Sequence, residues 1–137
     1  MTMQQFSAID EMRKDFKRLI GELSGELPFL ARLQDQLRIE SGHDDYQIQT
    51  PIVYNRALDD ITPASQIACI LVADNPGKKE QLTINNRYLV GQSGKLAESF
   101  FRQKLGIDFR KEVLILNKTP IHTAKTAELR KLLALAD

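Results

Sequence analysis

Apolar residues recur at three- and four-residue steps at the start of the chain: Phe6, Ile9, Met12, Phe16, Leu19, Ile20 and Leu23. That spacing predicts an amphipathic helix with one face turned inward. Ser7 and Asp10 have capping-box-like spacing near its beginning. Gly25 and Pro28 break the pattern, and Phe29, Leu30, Leu33 and Leu37, with Ile39 beyond them, predict a second, shorter helix. Ser41 to Asp45 is polar and reads as a loop. Ile48 to Val53 is weakly strand-like but interrupted by Pro51, which suits an edge strand or an extended connection. Arg56 to Ile61 fits a helical turn.

The pattern then changes. Gln66 to Ala73 is an apolar run that stops abruptly at Asp74-Asn75-Pro76-Gly77. Such a run predicts a strand buried on both faces, hence a parallel sheet flanked by helices. A polar loop follows from Asp74 to Gln92. Ser93 is placed to cap a helix over Gly94 to Leu105, with Leu96, Phe100, Phe101 and Leu105 inward and Gly106 closing it. Val113 to Leu116 predicts a second buried strand, ending at Asn117-Lys118-Thr119-Pro120, and Thr126 to Leu135 a last helix.

Helices alternating with apolar strands define an α/β layered fold in one domain, residues 1–137. Residues 1–45 form its N-terminal helical segment and 46–137 its α/β core. Two strong strands are few for a parallel sheet. Either Ile48 to Val53 joins them, or the chain is the front part of a longer protein.

Composition narrows the class. The chain is 42% hydrophobic and 27% charged, with no apolar stretch near the roughly 18 residues of a membrane helix. The N-terminus lacks a signal-peptide layout. A lone cysteine, Cys69, makes neither an internal disulfide nor a cysteine cage for a metal. His43 and His122 stand apart in sequence, so no metal site is expected. These features predict a cytoplasmic protein without a cofactor.

The net charge of +1 is unevenly spread. Residues 1–73 carry 7 Lys and Arg against 11 Asp and Glu, net −4. Residues 74–137 carry 12 against 7, net +5. A basic half suits an anionic partner such as nucleic acid, although an ordinary surface can show the same split.

Open parallel sheets place ligands beyond the carboxyl ends of their strands. Asp74 is a candidate general base there, and Asn75 a candidate water-positioning amide. Both residue types also serve as plain turn caps. Asn117 ends the second strand, so it would face the same crevice, and an amide suits the edge of a nucleobase. Arg87 to Leu96 contains Gly91, Ser93 and Gly94 ahead of a helix, where glycines allow close approach and free amides attract phosphate. Lys78, Lys79, Lys95 and Lys118 give an anion-friendly rim. Neither a Walker loop nor a dinucleotide fingerprint is present.

Three segments in this order resemble the uracil-DNA glycosylase superfamily. Ala73-Asp74-Asn75-Pro76-Gly77 resembles its first motif, Leu89-Val90-Gly91-Gln92-Ser93-Gly94 its Phe-Val-Gly-x-x-Gly-like segment, and Val113 to Asn117 its strand ending in Asn. The resemblance covers about Gln66 to Pro120. It implies a three-layer α/β/α domain with a mostly parallel central sheet. It also implies hydrolysis of the N-glycosidic bond of uracil or another damaged base in DNA, in base-excision repair. Asn75 then falls on the water-positioning Asn of the mismatch-specific branch, and Asp74 on a Glu of the iron–sulfur branch. The cluster cysteines of that branch are absent, so no cluster is expected. Asn117 falls on the amide that reads the uracil edge, and Pro76 and Gly77 complete the substrate turn. Leu89 replaces the usual stacking aromatic, with Tyr88 beside it as the substitute. The family's second motif, a His-containing loop, has no counterpart before Asp137, and His122 follows Asn117 too closely to supply it. The expectation is therefore a C-terminally truncated or degenerate member. The alternatives are a non-catalytic nucleic-acid or nucleotide-binding module, or an inactive fragment of the same fold.

Overall fold

The computed structural model describes residues 1–136. Helix α1 spans Met3–Glu26 and α2 spans Leu30–Glu40, followed by a 3-10 turn at Arg56–Asp60. Strand β1 is Cys69–Ala73, helix α3 is Gln92–Phe100, and a π-helical turn at Phe101–Leu105 extends it. A single-turn helix α4, Phe109–Glu112, leads into β2, Val113–Asn117, and α5 runs over Glu128–Ala136. The protein is thus of mixed α/β class. No described helix is long and apolar enough to cross a membrane.

The first helix begins earlier than its apolar stripe. Thr2 accepts from the Gln5 amide at 3.1 Å and Gln5 Oε1 accepts from the Thr2 amide at 2.9 Å. This reciprocal pair, rather than Ser7 and Asp10, is the capping box. None of the residues of α1 is fully buried. Arg13 holds it down by donating to the carbonyls of Leu58 and Ile61, at 2.9 and 3.0 Å.

Two apolar clusters form the interior. Leu30, Leu33 and Leu37 of α2 pack with Ile52 and with Leu132 of α5. Val53, Tyr88, Phe109, Val113 and Ile115 form the second, joined by Cys69 and Leu71 of β1, Ala97 and Phe101 of the α3 region, and Phe16 of α1. This second cluster covers one face of the sheet.

β1 and β2 pair in parallel, with Cys69 opposite Val113 and Ala73 opposite Asn117. They are the two strands of the sheet among the described residues. Ile48 to Val53 does not join them. Ile52 instead makes an isolated antiparallel bridge to Ile121.

Three expectations need correction. β1 is not buried on both faces: its burial alternates, and Ile70 and Val72 are 64% and 54% exposed. The helices pack on the Cys69–Leu71 face and leave those two side chains open. Ser93 is not the cap of α3; Gly91 is, without a side-chain bond, and Ser93 lies inside the first turn. Of the inward set predicted for that helix, Leu96, Phe100 and Leu105 are exposed. Its buried side is Ala97 and Phe101, one helical turn apart. Gly106 does close it, at φ +64°.

Candidate functional site

The strand register puts two polar segments side by side at the carboxyl end of the sheet. Pairing continues past the strands, with the Lys118 amide donating to Ala73 O at 3.0 Å and the Thr119 amide to Asp74 O at 3.4 Å. Asp74, Asn75 and Asn117 therefore emerge at one end, as the sequence order requires. The Asp74 carboxylate faces solvent and pairs with Lys118 Nζ at 2.9 Å, their side chains being 53% and 71% exposed.

Asn75 is placed differently. Its Nδ2 donates to Ile121 O at 3.0 Å and to Thr123 Oγ1 at 2.8 Å, and its Oδ1 accepts from Thr126 Oγ1 at 3.2 Å. Both amide protons and the oxygen are occupied, so in this arrangement Asn75 ties the turn to the segment after β2. Asn117 is the opposite case: its buried Nδ2 has no hydrogen-bond partner among the described residues. An unused buried donor is costly.

Pro76 is fully buried and its carbonyl is held twice. The Thr123 amide donates to it at 3.3 Å and His122 Nδ1 at 2.9 Å. His122 Nε2 accepts from Tyr46 OH at 2.9 Å. A carbonyl only accepts, so these partners fix the neutral Nδ1-protonated tautomer. Burial pushes the His122 imidazole down to about 4. Tyr46 is pushed up to about 12, by burial first and then by the Glu128 charge. Glu128 in turn bonds His43 Nε2 at 2.7 Å. The two histidines, distant in sequence, thus share one neighbourhood. His122 and Glu128, with Gln34, Tyr46 and Thr123, line a cavity of about 10 Å³, roughly the room of one water.

Gly77 is joined to the Leu89–Gly91 segment by a residue the sequence analysis passed over. Glu80, 7% exposed, accepts from the Gly77 amide at 2.7 Å and from the Leu89 amide at 3.0 Å. Burial pushes its carboxyl up against these bonds. The spacing Gly77-x-x-Glu80 is the signal that could have found it, since a carboxylate three residues on reaches back to a free amide. Nothing comparable marks Tyr46 as the partner of His122, 76 residues away.

Gly94 lies so close to Leu89 that a Cβ there would sit 1.7 Å from the Leu89 carbonyl oxygen. Gly91 and Ser93 stand at the start of α3, with Ser93 exposed. Tyr88 is not available to stack on a base: it is 1% exposed and its OH donates to Val53 O at 2.6 Å. The ring belongs to the core. Lys79 and Lys95 are exposed and make no ion pair with a described residue. Lys78 is held by Asp45 at 3.0 Å.

A cavity of about 710 Å³ lies elsewhere, among Asn55, Leu58, Arg87, Arg110 and Val113; it reaches Tyr88 and Val90 but not Asp74, Asn75 or Asn117. Among the described residues no group of three or more His, Cys, Asp or Glu side chains is placed to hold a metal. Comparison with protein-family models, with curated proteins and with solved structures returns no match.

Proposed function

We propose that this chain is a uracil-DNA glycosylase-like domain whose crevice takes a deaminated or damaged base from DNA. One observation carries the proposal: the parallel register that sets Ala73 opposite Asn117. It brings the Asp74 turn and the Asn117 amide to the same sheet end, with the Leu89–Gly91 segment tied in through Glu80. A three-layer α/β/α architecture belongs to the same proposal. So does a cytoplasmic location.

The chemistry follows from the groups at this sheet end. A base must leave the stack before its glycosidic bond is reached. Asp74, the solvent-facing carboxylate of the turn, orients a water toward the sugar carbon and favours the cationic charge that builds there. Lys118 orients that carboxylate. Asn117 Nδ2, the unpartnered donor, bonds the carbonyl edge of the base and favours its departure as an anion. Lys79 and Lys95 are free for phosphates, with Lys78 and Lys118 at the rim.

A second reading has its own support. The Asn75 amide is fully occupied by protein groups, and the 710 Å³ cavity does not reach the turn. Those facts favour a non-catalytic nucleic-acid-binding module. Excision of uracil from single- and double-stranded oligonucleotides separates the two. Cleavage that falls with Asp74→Ala and Asn117→Ala supports the glycosylase. Salt-dependent binding without cleavage supports the module.

A further inference from the structure

We infer that Glu80 is a positioning residue: its carboxylate locks the Pro76–Gly77 turn and the Leu89–Gly91 segment into one frame and so sets the shape of the crevice. Only the identity of what the crevice binds rests on the glycosylase proposal; the clamp stands on its own contacts.

Glu80 uses both oxygens. Oε2 takes the Gly77 amide and Oε1 the Leu89 amide, at 2.7 and 3.0 Å. None of these donors lies in a helix or strand, so without the carboxylate each would lose its partner. A buried carboxylate is expensive unless several donors meet it. Space alone would be filled as well by an apolar side chain.

The backbone it grips is unusual. Leu89 has φ +54°, the left-handed region that a residue with a Cβ rarely adopts. Its carbonyl oxygen accepts from Arg110 Nη2 at 2.7 Å and rests against the Cα of Gly94. Leu89 is thus fixed at its amide by Glu80, at its carbonyl by Arg110, and from below by Gly94. Strained residues persist where their surroundings over-determine them, and they gather at functional sites.

The test is residue-resolved amide hydrogen exchange on the full chain. In the wild-type protein the Gly77 and Leu89 amides exchange at least about ten-fold more slowly than those of Lys78 and Lys79, the scale of one buried hydrogen bond. Fast exchange at both overturns the clamp without any variant. In Glu80→Ala that protection is lost, while α2 and β2 are unchanged. In Glu80→Gln at least one of Gly77 and Leu89 loses it, because the amide offers one acceptor and turns its NH2 toward the other donor. Full protection in both variants overturns the clamp. Uracil excision then reads the positioning role. Glu80→Gln lowers kcat about ten-fold with KM within about two-fold, and unchanged kcat with lost protection overturns it. A wild-type chain that excises nothing strikes the glycosylase proposal and leaves the exchange result to decide the clamp.

Discussion

His122 donates its Nδ1 proton to the carbonyl oxygen of Pro76 at 2.9 Å, so a buried imidazole holds the proline of the candidate turn. The bond requires no charge on His122, and burial resists one. The folded protein takes up the second ring proton only near pH 4, the unfolded chain near 6.5. Between those values the unfolded state holds more protons, so stability is full above about 6.5 and falls as pH drops toward 4. The full span is worth up to about 3 kcal/mol. Urea unfolding at pH 7 and pH 4.5 checks this. His122→Gln should flatten the difference; an equal drop in both proteins would contradict it.

Asp74 and Asn75 are neighbours with different work. Asn75→Ala breaks three hydrogen bonds across the turn and should cost about 1–3 kcal/mol. Asp74→Ala removes an exposed pair and should change stability by less than about 0.5 kcal/mol. Denaturant unfolding of both variants gives the comparison. A large loss in Asp74→Ala would make that residue structural and withdraw it from the chemistry.

Gly94 and Gly21 should respond oppositely to alanine. At Gly94 the new Cβ collides with the Leu89 carbonyl, and overpacking of this kind costs about 1–3 kcal/mol or more. At Gly21, inside α1, nothing lies within 4 Å. Alanine there should stabilise the helix by about 0.5–1 kcal/mol. Thermal melting of the two variants checks the sign at each position.

The two faces of β1 and its neighbours also differ. Val72→Thr changes a side chain already 54% exposed and should shift stability by no more than about 0.5 kcal/mol. Phe109→Ala empties the second cluster and should cost about 3–5 kcal/mol. A substantial loss in Val72→Thr would show that this face is covered in solution.

Local pattern made much of this legible. The existence of the main helices, the turn at Arg56–Asp60 and the two strands follow from spacing within a few residues, though not the buried face of α3, and the order of the strands puts Asp74 and Asn117 at one end. What the chain could not reveal depends on distant partners. An apolar run shows that Ile70 and Val72 are apolar, not whether a layer covers them. Tyr88 sits beside a glycine segment and reads as exposed, but Val53, 35 residues away, takes its hydroxyl into the core. His122 reads as isolated because Tyr46 meets it only through the fold. Glu80 was within reach of its spacing to Gly77, while its second partner, Leu89, was not.

Uracil excision by the chain itself is the most direct test. A uracil-containing oligonucleotide, incubated with the wild-type protein and treated with alkali to cut abasic sites, should be cleaved at the uracil. Asp74→Ala and Asn117→Ala should each lose that cleavage while remaining folded. No cleavage by the wild-type chain, or cleavage that both substitutions leave intact, would contradict the assignment of the sheet end as a glycosylase site.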